Sequence, residues 1–500
     1  MATINDPLGD GSNPGLFGNA GETDVIFGYG GDDTVNPLTK GPGGIATVDT
    51  VYGGTGVDTL LIDATGDTQG ITSGASVTGF FVSSVSGAFG VQAYEIEKVN
   101  ITGGSGNDTL KGYTGDDVLR GGAGNDILEG GLGLDSFDGG AGVDTIDMRS
   151  WGSNIDVNFT HYDADHGDIF LGLGLHEPTA FVENLFAGAG HDTIRGNGAA
   201  NLLDGGGGSD TIYGGGDIDT LQGGEGDDIL LGEDGDDELK GDAGNDILVG
   251  GFGFDTLDGG AGLDTADYRF YDGATQVNLA TGRATFTANP GQYETLTSIE
   301  IVYTGAGADE LRGSINADGL AGGDGGDHIY GEGGGDIIFG GFGQYDFLFG
   351  GDGDDEIEGQ GGQDDIHGGS GIDLLTGGDG IDWIWGDAGA DRLIGGIDSD
   401  RFLYERISDS RAGALRRDII YDFSRAEIDT IDLSKIDADL SNNPGNDRFK
   451  FIGNHKFSGN GGEVRYSHGV LQMDIDGHGK VDMEIYLDNR PTLFKSDFDL

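Results

Sequence analysis

Apolar residues in this chain recur with a period of nine. In "GGAGNDILEGGLGLDSFDGGAGVDTID", Gly121 to Asp147, each unit opens with a glycine pair; a further Gly stands at position four, Asp at position six and an apolar residue at position eight. The last three residues of a unit alternate outward, inward, outward, which predicts a very short strand. Leu128, Phe137, Ile146, Ile229, Leu248 and Ile384 are expected to point inward and stack as a thin apolar core. The frame extends back through GGSGNDTLK at Gly103 and GYTGDDVLR at Gly112. Long blocks run over 103–147, 187–267 and 304–403, the last with one extra residue near Tyr345, and shorter traces occupy 18–36 and 53–61. Such register, held over long blocks, marks a repeat architecture.

The first six positions of a unit predict a bend. Glycine tolerates positive φ and leaves carbonyl oxygens uncovered, and the Asp adds a carboxylate. Carbonyls and carboxylates are the hard oxygen ligands of Ca2+. Two units make one turn of a coil of about 18 residues, and turns stack at roughly 4.7–4.9 Å. A cation between successive bends is then shared by Asp residues 18 apart, such as Asp126 with Asp144, Asp117 with Asp135 and Asp228 with Asp246. Without a cation such carboxylates repel one another. The expected metal ligands are Asp108, Asp117, Asp126, Asp135, Asp144, Asp210, Asp219, Asp228, Asp237, Asp246, Asp255, Asp264, Asp327, Asp336, Asp355, Asp364, Asp373, Asp382 and Asp391. The bends rest on glycines such as Gly121, Gly124, Gly223, Gly226, Gly241 and Gly244.

Composition fits that chemistry. Glycine supplies 105 of 500 residues, and 89 Asp plus Glu against 25 Lys plus Arg leave a net charge of −64. Taken alone, such a balance describes a disordered chain; the register argues against it. Nucleic acid is excluded as a partner, because binding it takes a basic surface. There is no cysteine, so no disulfide holds the fold, and calcium is expected in that role.

The unit GGxGxDxUx, with U apolar, resembles the repeat of RTX (repeats-in-toxin) proteins, a resemblance that implies a parallel β-roll with calcium in its turns. Some units depart from it. GNGAANLLD at Gly196 carries Asn201 for Asp; GGFGQYDFLF at Gly340 and GNAGETDVIF at Gly18 are each one residue long, displacing Asp346 and Asp24. Weak or absent metal binding is expected there.

Three inserts, near 59–102, 148–186 and 268–303, separate the blocks and share an ending: Ile96-Glu97, Val182-Glu183 and Ile299-Glu300 stand just before the repeats restart. Strand-like alternation in them, as in "QVNLATGRATF", predicts β hairpins or strands over the roll's ends. Beyond 403 glycine thins, aromatic residues appear, and 13 of the 25 Lys and Arg gather. The series "DIIYDFSRAEIDTIDLSKIDA", "FKFIGNHKFSGNGGEVRY", "LQMDIDGHGKVDMEIYL" and "SDFDL" resembles the C-terminal domain of serralysins, which implies an address for type I secretion. Asp474, Asp476, Gly477, Gly479 and Asp482 have part of a calcium-loop spacing, although a hairpin turn is the preferred reading.

The front, "MATINDPLGDGSNPGLFGNAG", has neither the basic nor the apolar region of a Sec signal, and no apolar run reaches the length of a membrane span. Serralysins carry a zinc-binding HExxH. Here His176-Glu177 is followed by Pro178, and Ala180 stands where the second His belongs; GxSxG is absent too. His161 and His166 in "HYDADH" read as a solvated loop. No catalytic residue is expected. The sequence therefore predicts an all-β chain: degenerate repeats over 1–58, an insert over 59–102, a roll block over 103–147, an insert over 148–186, a roll block over 187–267, an insert over 268–303, a roll block over 304–403 and a mainly β domain over 404–500. The expected partners are calcium ions and the type I secretion machinery. A secreted, non-catalytic extracellular or cell-surface factor is the expected function; a hydrolase with its active site in the inserts and a polysaccharide-binding or adhesion module stay open.

Overall fold

A computed structural model describes residues 2–5, 16–17, 24–37, 47–76, 79–84, 89–163, 166–171, 176–287, 293–438 and 448–500. The described residues form strands throughout, with one short 3-10 turn at Lys495–Asp497. No helix among them is long and apolar enough to cross a membrane. The chain packs as two compact units, Met1–Gly262 and Leu263–Leu500.

In the first unit, strands two apart in sequence pair in parallel. Leu202–Gly207 lies beside Thr220–Glu225, which lies beside Glu238–Ala243, with Leu203 opposite Leu221 and Leu221 opposite Leu239. The intervening strands make the second sheet, where Ile212 stands opposite Leu230 and Leu230 opposite Leu248. One turn therefore takes two units, 18 residues, as the repeat predicts. Position eight points inward: Leu203, Ile212, Leu221, Leu230, Leu239 and Leu248 are all 0% exposed. Ile229 corrects the sequence reading. It occupies position seven, faces outward and is 38% exposed, while Leu230 fills the core.

The inserts within the first unit are antiparallel. Ile71–Ser76, Gly79–Ser84 and Phe89–Tyr94 form one meander; Asp156–Asp163, His166–Phe170 and His176–Ala180 form another. Each meander pairs with strands of the roll. Phe89–Tyr94 pairs in parallel with Thr47–Tyr52, and Asp156–Asp163 with Thr193–Arg195.

In the second unit the same stacking runs from Gly319–Gly325 to Arg401–Leu403, with Ile329, Ile338, Leu348, Ile357, Ile366 and Leu375 all at most 1% exposed. The insert Thr275–Asn278, Arg283–Phe286 and Glu294–Thr297 is again a meander. Its first strand pairs in parallel with Glu310–Arg312. Past the repeats, Asp418–Ile420 pairs in parallel with Arg392–Ile397, and Thr430–Asp432 with Arg401–Leu403. Asp474 to Asp482 links the antiparallel strands Val470–Asp474 and Met483–Leu487, the hairpin the sequence suggests.

Candidate metal centre

The position-six aspartates build two ladders along the edges of each unit. The backbone N–H of one Asp donates to Oδ1 of the Asp one turn on. In the first unit Asp192 donates to Asp210, Asp210 to Asp228 and Asp228 to Asp246, over 2.7–2.8 Å. On the other edge Asn201 donates to Asp219, Asp219 to Asp237 and Asp237 to Asp255, each at 2.8 Å. In the second unit one ladder runs Asp309, Asp327, Asp346, Asp364, Asp382 and Asp400. The other runs Asp318, Asp336, Asp355, Asp373 and Asp391.

Oδ1 is thus spent on the backbone. Oδ2 is not: it is buried and without a hydrogen bond in Asp126, Asp144, Asp210, Asp219, Asp228, Asp237 and Asp255, and in Asp327, Asp336, Asp346, Asp355, Asp364, Asp373, Asp382 and Asp391. An ionised carboxylate so placed is costly unless something pairs with it. Burial pushes the Asp126 carboxyl up to about 7; the hydrogen bond from Asp108 opposes this, and the charges of Asp108 and Asp144 add to it. Asp219 and Asp373 are raised to about 7 by burial in the same way, and Asp391 to about 8.

Glycine makes the surrounding cradle. A Cβ on Gly121 would lie 2.1 Å from Asp126 Oδ2 and 2.6 Å from the carbonyl of Gly139. One on Gly223 would lie 2.3 Å from Asp228 Oδ2, and one on Gly241 2.2 Å from Asp246 Oδ2. Gly124, Gly226 and Gly244 adopt φ of +123°, +128° and +145°, with carbonyls of the previous turn where a Cβ would project. Carboxylate and carbonyl oxygens therefore converge in space that only glycine leaves open. The donor set fits a hard divalent cation such as Ca2+, which takes six to eight oxygens and would neutralise the paired charges.

The structure separates residues that look alike in sequence. Asp108 Oδ2 accepts the N–H of Gly104, and Asp117 Oδ2 that of Tyr113, so both carboxylates close on their own turns. Asn201 behaves similarly: its Oδ1 accepts from Asn197 and its Nδ2 donates to the carbonyl of Glu183. Asp346, expected to be displaced, returns to register because the extra residue is absorbed in the turn before it; it is 0% exposed. Asp24 lies among the described residues, but the turn before it, 18–23, does not. Asp135 and Asp264 are buried. Asp192 and Asp400, each with a buried unpartnered Oδ2, belong to the repeat frame and were left out of the expected ligands. Asp418 has no repeat around it, yet its Oδ1 accepts the N–H of Asp391 at 3.1 Å and its carboxyl is fully buried beside Tyr404; only the "DII" at 418–420 marks it in the sequence.

Away from the ladders, carboxylate oxygens of Asp474, Asp476 and Asp482 lie within 4.8 Å of one another. The two oxygens of Asp474 accept from Gly477 and Gly479, Oδ2 of Asp482 accepts the N–H of Ile475, and Oδ1 of Asp476 that of His478. His176-Glu177 sits on a strand. The side chains of His161 and His166 lie outside the described residues.

A comparison with curated proteins finds no match. The family model of the RTX calcium-binding nonapeptide repeat (4 copies) matches residues 16–37, 46–61, 102–137, 121–147, 179–212, 213–248, 240–268, 297–328, 313–344, 346–375 and 367–402. These segments take up more than half of the 500 residues and include both pairs of ladders. The chain belongs to the RTX calcium-binding nonapeptide repeat family.

Proposed function

We propose that the chain is a secreted factor whose repeats fold around extracellular Ca2+, held by the position-six aspartates and the carbonyls of the glycine bends, and that it acts without catalysis. The observation that carries this reading is the file of buried Asp Oδ2 atoms with no hydrogen bond, set against glycine cradles as at Asp126, Asp228 and Asp373. Bound calcium supplies charge neutralisation and cross-links between turns. The chain's own residues set the stacking distance through the Asp N–H to Asp Oδ1 bonds and exclude water with the position-eight column. A strand, rather than a helix, under His176-Glu177 supports the non-catalytic reading, because the HExxH arrangement needs both histidines on one helical face.

Export by a type I system is supported by the serralysin-like series over 404–500. Cytosolic calcium is far below the 10⁻⁴–10⁻³ M range of extracellular modules, so the chain would travel unfolded and fold outside. Deleting about the last 60 residues is expected to leave the protein in the cell fraction of a strain with a type I exporter, while deleting 1–15 leaves export intact. Efficient appearance of the C-terminal deletion in the medium contradicts this reading of the tail.

A further inference from the structure

The three inserts end alike. Glu95, Phe181 and Ser298 adopt φ of +58°, +52° and +50°, and a glutamate follows two residues later: Glu97, Glu183 and Glu300. At each of these, two successive N–H groups converge on one Asp carbonyl: Glu97 and Lys98 on Asp58, Glu183 and Asn184 on Asp144, Glu300 and Ile301 on Asp264. The glutamate's Oε2 then accepts the N–H of that same Asp, at 2.9, 2.8 and 3.0 Å. This is the bond that Oδ1 of the next Asp accepts in the regular turns, as from Asp126 to Asp144 and from Asp210 to Asp228. The longer side chain replaces the missing Asp after 36–39 residues instead of 18.

The rest of the cradle is reproduced as well. The carbonyl of Phe181 lies 2.1 Å from the Cβ position of Gly139, and that of Glu95 2.0 Å from the Cβ position of Gly53. In the regular turn the carbonyl of Gly139 takes this place over Gly121. Asp144 and Asp58, both 0% exposed, aim an unpartnered Oδ2 at the same points. The second insert repeats the device on its other edge. Glu177, 3% exposed, accepts the N–H of Asp135 through Oε1 at 3.3 Å, and its Oε2 is buried and without a hydrogen bond.

We propose that Glu97, Glu177, Glu183 and Glu300 are calcium ligands, each closing a site at the end of a repeat block where the next ladder Asp is missing. The proposal rests on the reading of the repeats as calcium sites. Each glutamate would complete a site with the preceding Asp: Asp58, Asp135, Asp144 or Asp264. Beyond the inserts the repeats resume on residues without a carboxylate: Asp108, Asp117, Asp192 and Asp309 accept backbone N–H groups from Ile71, Val99, Ile155 and Thr275.

The test is calcium stoichiometry, measured by atomic emission on the desalted full-length protein. Glu97→Gln, Glu177→Gln, Glu183→Gln and Glu300→Gln each keep an oxygen to accept the Asp N–H and remove only the charge. Each is expected to hold one ion fewer than the parent, with unchanged β signal in circular dichroism, and the quadruple variant four fewer. A full complement in every variant overturns the proposal. If the parent itself takes up no calcium, the reading of the repeats fails and this one with it; a parent that loads beside variants that load equally isolates the failure here. Should a variant not fold, anomalous scattering from the calcium-loaded parent decides: an ion within about 2.3–2.6 Å of these glutamate oxygens supports the assignment, and ions at the Asp pairs alone contradict it.

Discussion

An open ladder Asp such as Asp228 does two jobs with its two oxygens. Oδ1 accepts the N–H of the previous turn and sets the stacking; Oδ2 is the atom left to face a cation. Asp228 separates the two experimentally. Asp228→Asn keeps an acceptor for the N–H of Asp210 and loses the charge, so a folded chain with fewer ions is expected. Asp228→Ala also strands a buried donor, which costs about 1–3 kcal/mol. Both variants should empty the sites shared with Asp210 and Asp246 before those of Asp219 and Asp237, as read from ion positions in a crystal. Losses that follow the neighbours nine residues away contradict the two-unit turn. The ladder Asp residues were legible in the sequence because carboxylate spacing of 18 follows from the repeat itself. The closed state of Asp108 and Asp117 was not: Gly103–Lys111 reads like its neighbours, and only the direction of the N–H of Gly104 distinguishes it.

At the level of the element, the strand is short and the bend carries the information. Gly224 has φ of +112°, and a Cβ there would meet the carbonyl of Gly206 at 2.0 Å. Gly198 needs no positive φ and has nothing within 4 Å of its Cβ position. Thermal unfolding of the calcium-loaded chain should therefore fall for Gly224→Ala by about 1–3 kcal/mol or more and barely move for Gly198→Ala. Equal effects would show that the bends do not depend on these carbonyl approaches. The nine-residue pattern gave the strands and their inward residues, with Ile229 misplaced by one because position seven is also apolar in that unit. The inserts were recognisable as β, and their shared Ile/Val-Glu ending was visible. What that ending does was not, because the glutamate's partner lies 36–39 residues back and no periodicity links them.

For the whole molecule the governing quantity is charge. A net −64 opposes compaction, and buried carboxylates concentrate the problem in the ladders. In the metal-free fold, burial raises Asp117, Asp126, Asp210, Asp219 and Asp255 to about 7, against about 3.9 in an unfolded chain. Between these values the folded state holds more protons than the unfolded one, so its stability falls as pH rises. Without calcium, β structure should therefore increase as pH is lowered from about 7 toward 4. With calcium the ligands must lose those protons, and the calcium midpoint should move to higher concentration at pH 5.5 than at pH 7.5. A midpoint that ignores pH would show that these carboxylates are not the ligands.

The central claim is that calcium binding and folding are one event. Circular dichroism of the full chain during a calcium titration from chelator tests it most directly. The account predicts an expanded chain in chelator and a cooperative gain of β signal on the order of 10⁻⁴–10⁻³ M Ca2+. A chain already compact and β-rich in chelator at neutral pH, with no change on adding calcium, would contradict it.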